Sequence, residues 1–266
     1  MKLLIIFTLF LIISCSDSSG NKSDKRKKNL NVLVISFDDS EVESIQNWSN
    51  HMPNYSISTY NASDSLKFTD LGTPDVILLF TNHLPRTKAV GDTLFKYVMN
   101  GGHLLLGTFY SQQKGNDRFG ELNSISPTFH NKNAFIADTL IVSSSHPITI
   151  GIDTLITYYG AGSDSITNGA DRLLNWESGE ILAAQTEPNG RVLEISIFPA
   201  EPNYNTVLES KGDKNLEHFY RLWSNAIRFI HSQNHFDDDF LYNPNIKSDN
   251  EGGGGHVKRS RSFGTK

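Results

Sequence analysis

Cysteine is almost absent from this sequence: there is one in 266 residues, Cys15. A single thiol excludes an internal disulfide and a thiolate-bound metal cluster. A basic excess is also missing, because 24 Lys and Arg stand against 29 Asp and Glu, a formal charge of -5. That balance lacks the electrostatic footprint of a nucleic-acid binder, so no nucleic-acid partner is expected. The nine histidines are scattered, and "FDDDF" (236–240) lacks the spaced oxygen ligands of a calcium loop, so no metal is expected. No nucleotide cradle is present either. Gly101-Gly102 precedes a strand candidate, whereas a phosphate-binding glycine loop follows a strand and opens a helix. No cofactor is therefore expected, and no internal repeat is evident.

Long apolar runs are scarce as well. The one at the N-terminus, residues 3–13 of "MKLLIIFTLFLIISCSDSSG", falls short of the ~20 residues a membrane-spanning helix needs. Lys2, the apolar run, small Ser14 and Cys15 have instead the charge, core and exit of a secretory signal over residues 1–14. Ile12-Ile13-Ser14-Cys15 resembles a bacterial lipobox. That resemblance implies a lipoprotein acylated on Cys15 by fatty chains such as palmitate, held at the cell envelope and outside the cytoplasm, since more than one chain gives stable anchoring. Residues 15–29 contain no large apolar side chain after Cys15 and read as a lipidated, solvated tether.

What remains, 38% hydrophobic and 20% charged over the whole chain, suffices for one domain, placed at residues 30–232. "NVLVISF" (31–37), "DVILLF" (75–80) and "HLLLGTF" (103–109) are continuous apolar runs expected of strands buried on both faces. "YSISTY" (55–60) alternates, like a strand with one face less covered. Helix candidates lie between them. Val42, Ile45 and Trp48 form one stripe; Val90, Leu94 and Tyr97/Val98 form a second, with Pro85 at its start and Asn100-Gly101-Gly102 at its exit. "TLIVSSS" (139–145) and "DTLITYY" (153–159) read as strands, and residues 180–198 as a hairpin turning at Pro188-Asn189-Gly190. Leu216, Phe219/Tyr220, Trp223, Ile227 and Ile230 predict a core-facing last helix. Residues 233–266 carry no stripe and read as a disordered tail. The rhythm predicts an α/β fold, a flavodoxin-like three-layer sandwich with a mostly parallel central sheet and a C-terminal β-hairpin plus helix.

In such a sheet the ligand sits outside the carboxyl ends of the strands. The residues that follow those ends are Asp38 and Asp39, Asn82 and His83, Thr108, Tyr110 and Ser111, and Glu201 with Tyr204 behind it. Asp38, Asp39, Asn82, His83, Thr108, Ser111 and Glu201 are the candidate cleft residues for a small polar ligand such as a sugar. Asp38 and Asp39 also suit the cap of a following helix. As neighbours in an extended segment they point apart, which counts against a paired acid and base. His146 precedes Pro147, which favours an extended backbone and a structural role.

"VMNGGHLLLGTF" (98–109), "SSSHPITIGIDTLITYY" (143–159), "GRVLEISIF" (190–198) and "LWSNAIRFI" (222–230) resemble landmarks of the trehalose-utilisation (ThuA-like) family within the class I glutamine amidotransferase-like superfamily. The match runs over residues 31–231, with "HPITIGI" (146–152) its most specific part. The resemblance implies a flavodoxin-like sheet with a small-molecule cleft and, in the amidotransferases, a cysteine nucleophile at the turn after the strand matching 103–109. Here that turn reads Gly107-Thr108-Phe109, without the cysteine and without the ThuA-like histidine. Thr108 or Ser111 with His83 or His146 as base lacks the Gly-x-Ser-x-Gly setting of a hydroxyl nucleophile. The expected function is thus a membrane-anchored, non-catalytic module that binds a carbohydrate or an envelope protein. The alternatives are a sugar-processing enzyme or hydrolase using cleft carboxylates, and a purely structural protein whose cleft its own side chains fill.

Overall fold

The computed structural model describes residues 29–37, 49–52, 54–79, 88–107, 118–126, 138–141, 146–157, 165–167, 169–197 and 212–232. Nine strands and two helices lie among them: β1 Leu30–Ser36, β2 Tyr55–Asn61, β3 Val76–Leu79, α1 Lys88–Met99, β4 Leu104–Leu106, β5 Asp138–Ile141, β6 Thr154–Thr157, β7 Asp171–Asn175, β8 Ile181–Thr186, β9 Val192–Ile195 and α2 Asp213–Ser232. The predicted helix around Val42, Ile45 and Trp48 lies outside the described residues.

Seven strands form one sheet in the order β2-β1-β3-β4-β9-β8-β7. The first five run parallel; β8 and then β7 join antiparallel. The expected parallel core and closing hairpin are both present. Strands β5 and β6 pair only with each other, antiparallel, in a small separate sheet.

Pairing in register turns the period-2 alternation of each strand into rows of side chains across the sheet. Leu33, Ile77, Leu104 and Val192 form one such row. They pack with Val90, Leu94 and Val98 of α1 on one face. Val34, Leu78, Leu105 and Leu193 form the next row. These face the other way and are covered by Phe219, Tyr220, Trp223, Ile227 and Ile230 of α2. Both faces are buried, which is why these strands read as unbroken apolar runs. The result is the three-layer α/β sandwich.

Polar side chains of α2 fasten the small sheet. The Asn215 amide accepts from the Ile156 N–H (2.9 Å) and donates to the Ile156 carbonyl (3.0 Å), imitating a neighbouring strand. The β8–β9 turn joins both helix layers at the amino edge of the sheet. Gly190 N–H donates to the Val98 carbonyl (2.8 Å) and the Asn189 amide to the Met99 carbonyl (2.9 Å), so the turn caps the end of α1. Arg191 donates to the carbonyls of Ile230 (2.8 Å) and His231 (3.2 Å), capping α2 on the opposite face. Such terminal carbonyls have no partner within their own helix.

At Gly190 a Cβ would overlap the Gly102 carbonyl oxygen, a backbone atom that cannot swing aside. Gly190→Ala is therefore expected to cost roughly 2–4 kcal/mol by forcing the turn away from α1. Equilibrium urea unfolding measures this, and a change within about 0.5 kcal/mol would contradict the close approach.

Candidate functional site

Strand order locates the site. The chain leaves β1 for β2 on one side and returns to β3 on the other, so the connections after β1 and β3 diverge in opposite directions. This is the topological switch point where doubly wound sheets bind ligands. Asp38 and Asp39 follow β1, Asn82 and His83 follow β3, Thr108 and Ser111 follow β4, and Glu201 follows β9. All seven lie outside the described residues, as does Cys15. The described residues give the strand ends that precede these positions in the chain, and with them the floor of the carboxyl edge.

That floor is polar in places that strand periodicity does not explain. Ser36, the last residue of β1, is fully buried, and its hydroxyl has no hydrogen-bond partner among the described residues. Its carbonyl accepts from the Ala62 N–H (2.8 Å), while the Asn61 side chain beside it accepts from the Ser63 N–H (2.8 Å) and turns the chain away after β2. Past β9, the Ser196 hydroxyl accepts from the Trp176 indole (2.9 Å) and donates to the Ile181 carbonyl (2.8 Å). An unmet hydroxyl in a dry position costs about 1–3 kcal/mol, so Ser36 is the member of this set that has hydrogen bonding to offer.

Glu194 is the residue that sequence reasoning missed. It stands in β9 opposite Leu106, the last residue of β4, and is fully buried. One carboxylate oxygen accepts from the N–H groups of both Ser124 and Ile125, each at 2.9 Å. The Ser124 hydroxyl donates to the Val192 carbonyl (3.3 Å). Ile125 bridges antiparallel to Ile166, and the Thr167 hydroxyl donates to the Asn123 carbonyl (2.7 Å). The carboxylate thus pins residues 123–126 beside the ends of β4 and β9, as part of the expected excursion over the carboxyl edge. The signal was an acid inside "VLEISIF", which alternation alone reads as a solvent-facing position.

His146 is placed as a structural residue. Its backbone is extended (φ -65°, ψ 138°) and its Nδ1 accepts from the Ile148 N–H (3.2 Å), capping a 3-10 turn at Pro147–Thr149. Gly151 supplies the positive φ of 74° that reverses the chain behind it. No group of three or more His, Cys, Asp or Glu suited to a metal ion occurs among the described residues. One histidine pair has helical spacing, His231 with His235, but His235 lies outside the described residues. None of the described helices is long and apolar enough to cross a membrane.

Known proteins resemble the chain in fold and not in sequence. No family model matches it and no curated protein aligns with it significantly. Solved structures do superpose. A protein described as ThuA-like from Bacteroides uniformis shares 13% identity, over 76% of this chain and 91% of its own, with a TM-score of 0.54. A glutamine amidotransferase from Thermotoga maritima shares 13% over 77% of this chain and 99% of its own, at 0.52. A cytoplasmic protein from Salmonella typhimurium LT2 shares 14% over 76% and 99%, at 0.57. The fold is glutamine amidotransferase-like. At these identities the likeness extends to the arrangement of strands and helices, which agrees with the expected flavodoxin-like sheet.

Glu194→Ala leaves two buried backbone N–H groups without an acceptor, and is expected to lower stability by roughly 2–4 kcal/mol. Glu194→Gln, which keeps an acceptor oxygen, should cost less than half as much. Thermal and urea unfolding of both variants measure this; equal costs would show that the two N–H contacts are not what holds the carboxylate.

Proposed function

We propose that this chain is an envelope lipoprotein whose glutamine amidotransferase-like domain binds a small polar ligand, a carbohydrate before others, at the β1/β3 switch point, without chemical turnover. One observation carries the reading. The strand order opens a switch point between the connections that follow β1 and β3, and the sequence fills the positions after four parallel strands with Asp, Asn, His, Thr, Ser and Glu. The turn after β4, Gly107-Thr108-Phe109, supplies no cysteine or histidine.

A sugar offers hydroxyls that both donate and accept. Carboxylates, amides and hydroxyls on separate connections can match them from several directions, and binding needs no more than such a preformed set of oriented groups. Turnover of the amidotransferase kind needs a nucleophile beside its base. Anchoring is a separate part of the reading, supported by the position of Cys15 directly after an apolar run and a small residue.

For the full chain in detergent, a panel of D-glucose, D-galactose, D-mannose and N-acetyl-D-glucosamine is expected to yield at least one sugar that raises the thermal midpoint. Ligand at about 100 times its Kd adds ~2.7 kcal/mol by mass action. The rise should disappear in a variant combining Asp38→Ala with Asn82→Ala, and nitrophenyl glycosides of the same sugars should not be cleaved. Cleavage lost in Asp38→Asn or Glu201→Gln would instead establish the carboxylate hydrolase. Expressed in a bacterium with radiolabelled palmitate, the wild type should incorporate label and Cys15→Ser should not; label retained in Cys15→Ser would refute the anchor.

A further inference from the structure

Three histidines from three separate parts of the chain each lay an imidazole against α2. His51, just before β2, stacks on Tyr220 with ring centroids 4.2 Å apart and planes 17° from parallel. His146 packs on Phe229 at 5.0 Å. His103, just before β4, meets His231 edge to face at 6.2 Å. The contacts are spread along the helix, and all lie between α2 and the elements it covers. We infer that His51, His103 and His146 form an acid-sensitive latch: neutral, they seat α2 on the sheet, and protonated, they loosen it.

The chemistry at His146 is the most direct. Its Nδ1 accepts the Ile148 N–H, which requires that nitrogen to carry no proton. An imidazolium donates from both nitrogens, so protonation sets a donor against a donor and removes the cap. The capped turn is itself held by α2: the Asn225 amide donates to the carbonyls of Ile148 (3.1 Å) and Ile150 (2.9 Å). Loss of the cap is thereby passed to the helix.

At His103 the Nδ1 is buried and makes no hydrogen bond among the described residues. Burial pushes its pKa down, and the positive charges of Arg191 and His231 push it the same way, while Glu187 and Asp75 oppose them. Arg191 is the residue that caps the last carbonyls of α2. His231 on α2 itself faces Asp75 at 4.0 Å. Tyr97, whose hydroxyl accepts from the His103 N–H, is pushed up to about 12, chiefly by burial, and stays neutral throughout. A charge on His103 is therefore repelled by Arg191, which caps α2, and by a charged His231 on the helix itself.

At His51 and His146 burial is what lowers the pKa. The stacked Tyr220 face attracts an imidazolium and offsets part of that cost, so His51 contributes least. Along α2, Lys214 pairs with Asp153 (2.8 Å) and Arg221 with Glu217 (2.8 Å). Arg228 donates to the Tyr55 hydroxyl (3.1 Å), and His218 bonds the Thr154 carbonyl through Nδ1 (2.6 Å).

The sign follows from linkage. A histidine whose folded value lies below its unfolded 6.5 binds more protons when unfolded, so stability rises with pH. It is lost as pH falls from about 6.5 toward the folded value. The three shifts have the same sign, so their contributions to the pH dependence add.

The test uses the full chain in detergent, followed from about pH 7.5 to about pH 5 by thermal midpoint and tryptophan fluorescence, with Trp223 in α2 and Trp176 beside it as reporters. The wild-type midpoint should fall by roughly 5–15 °C over that range. A triple variant, His51→Phe, His103→Asn and His146→Asn, should keep less than half of the fall; Asn at position 146 still caps but does not titrate. A flat wild-type profile, or a triple variant with more than half of the fall, overturns the latch. If the triple variant does not fold at pH 7.5, His146→Asn alone and an NMR titration of the wild-type imidazoles decide it. His146 titrating below 6.5, with a shallower profile in the single variant, supports the inference; His146 titrating at or above 6.5, or an unchanged profile, overturns it.

Discussion

Three consecutive residues, Asn189, Gly190 and Arg191, tie the molecule together. A doubly wound sheet buries both faces only if a helix layer is held on each. The apolar rows that do the burying are non-directional, so they attract a helix without fixing where it stops. Directional bonds from one turn settle this for both layers. Asn189 and Gly190 take the last carbonyls of α1, and Arg191 takes those of α2. Each buried Leu, Ile or Val contributes ~1.5–3 kcal/mol, far more in sum than the caps. The caps decide the register in which that burial is collected, which is why Gly190 must pass so close to Gly102.

The two edges of the sheet are consequently unlike. At the amino edge, backbone and side chains close on one another: Asn31 N–H donates to the Asp75 carboxylate (2.8 Å), the Asp75 N–H to the Asn31 carbonyl (2.8 Å), and the β8–β9 turn covers the helix ends. At the carboxyl edge, the described groups bind segments that cross the edge. Glu194 holds residues 124 and 125 from below, and the Ser36 hydroxyl at the end of β1 has no hydrogen-bond partner among the described residues. Burying an acid there is tolerable because two backbone N–H groups replace its water. Among the described residues, these bonds close the amino edge, while buried polar groups stand at the strand ends of the carboxyl edge.

Much of this frame was legible in the residues. Strands β1, β3 and β4 are continuous apolar runs because both faces are covered, and Asn100-Gly101-Gly102 marked the end of α1, where Gly101 takes a φ of 91°. Strand β7 was not legible. Its side chains are mostly exposed and two register shifts interrupt its pairing with β8, so "DRLLN" has neither the length nor the alternation of a strand signal. Strands β5 and β6 were read as strands, but propensity cannot say which sheet a strand joins; Asn215, some sixty positions away, decides that. Glu194 and Arg191 escaped for the same reason. Their partners are remote in sequence, at 124–125 and 230–231, and local periodicity carries no information about them. His146 was the opposite case, since the following proline sets its extended backbone and leaves its ring free to cap.

The ionisable chemistry of the described residues is spent on structure. Glu194 spends its charge on two backbone amides, Arg191 on helix carbonyls, and His146 its lone pair on a cap. A catalytic group needs the reverse, a proton affinity tuned toward a substrate and a lone pair left available to it. Burial of the imidazoles against α2 lowers their proton affinity, and their rings contact the helix that closes the sheet. In the latch inferred above, proton uptake by these imidazoles is coupled to how tightly that helix sits. The strands that precede the candidate cleft positions in the chain are covered on one face by that same helix. The helix covers the Val32-Val76 and Val34-Leu78 rows of β1 and β3, the two strands that flank the switch point.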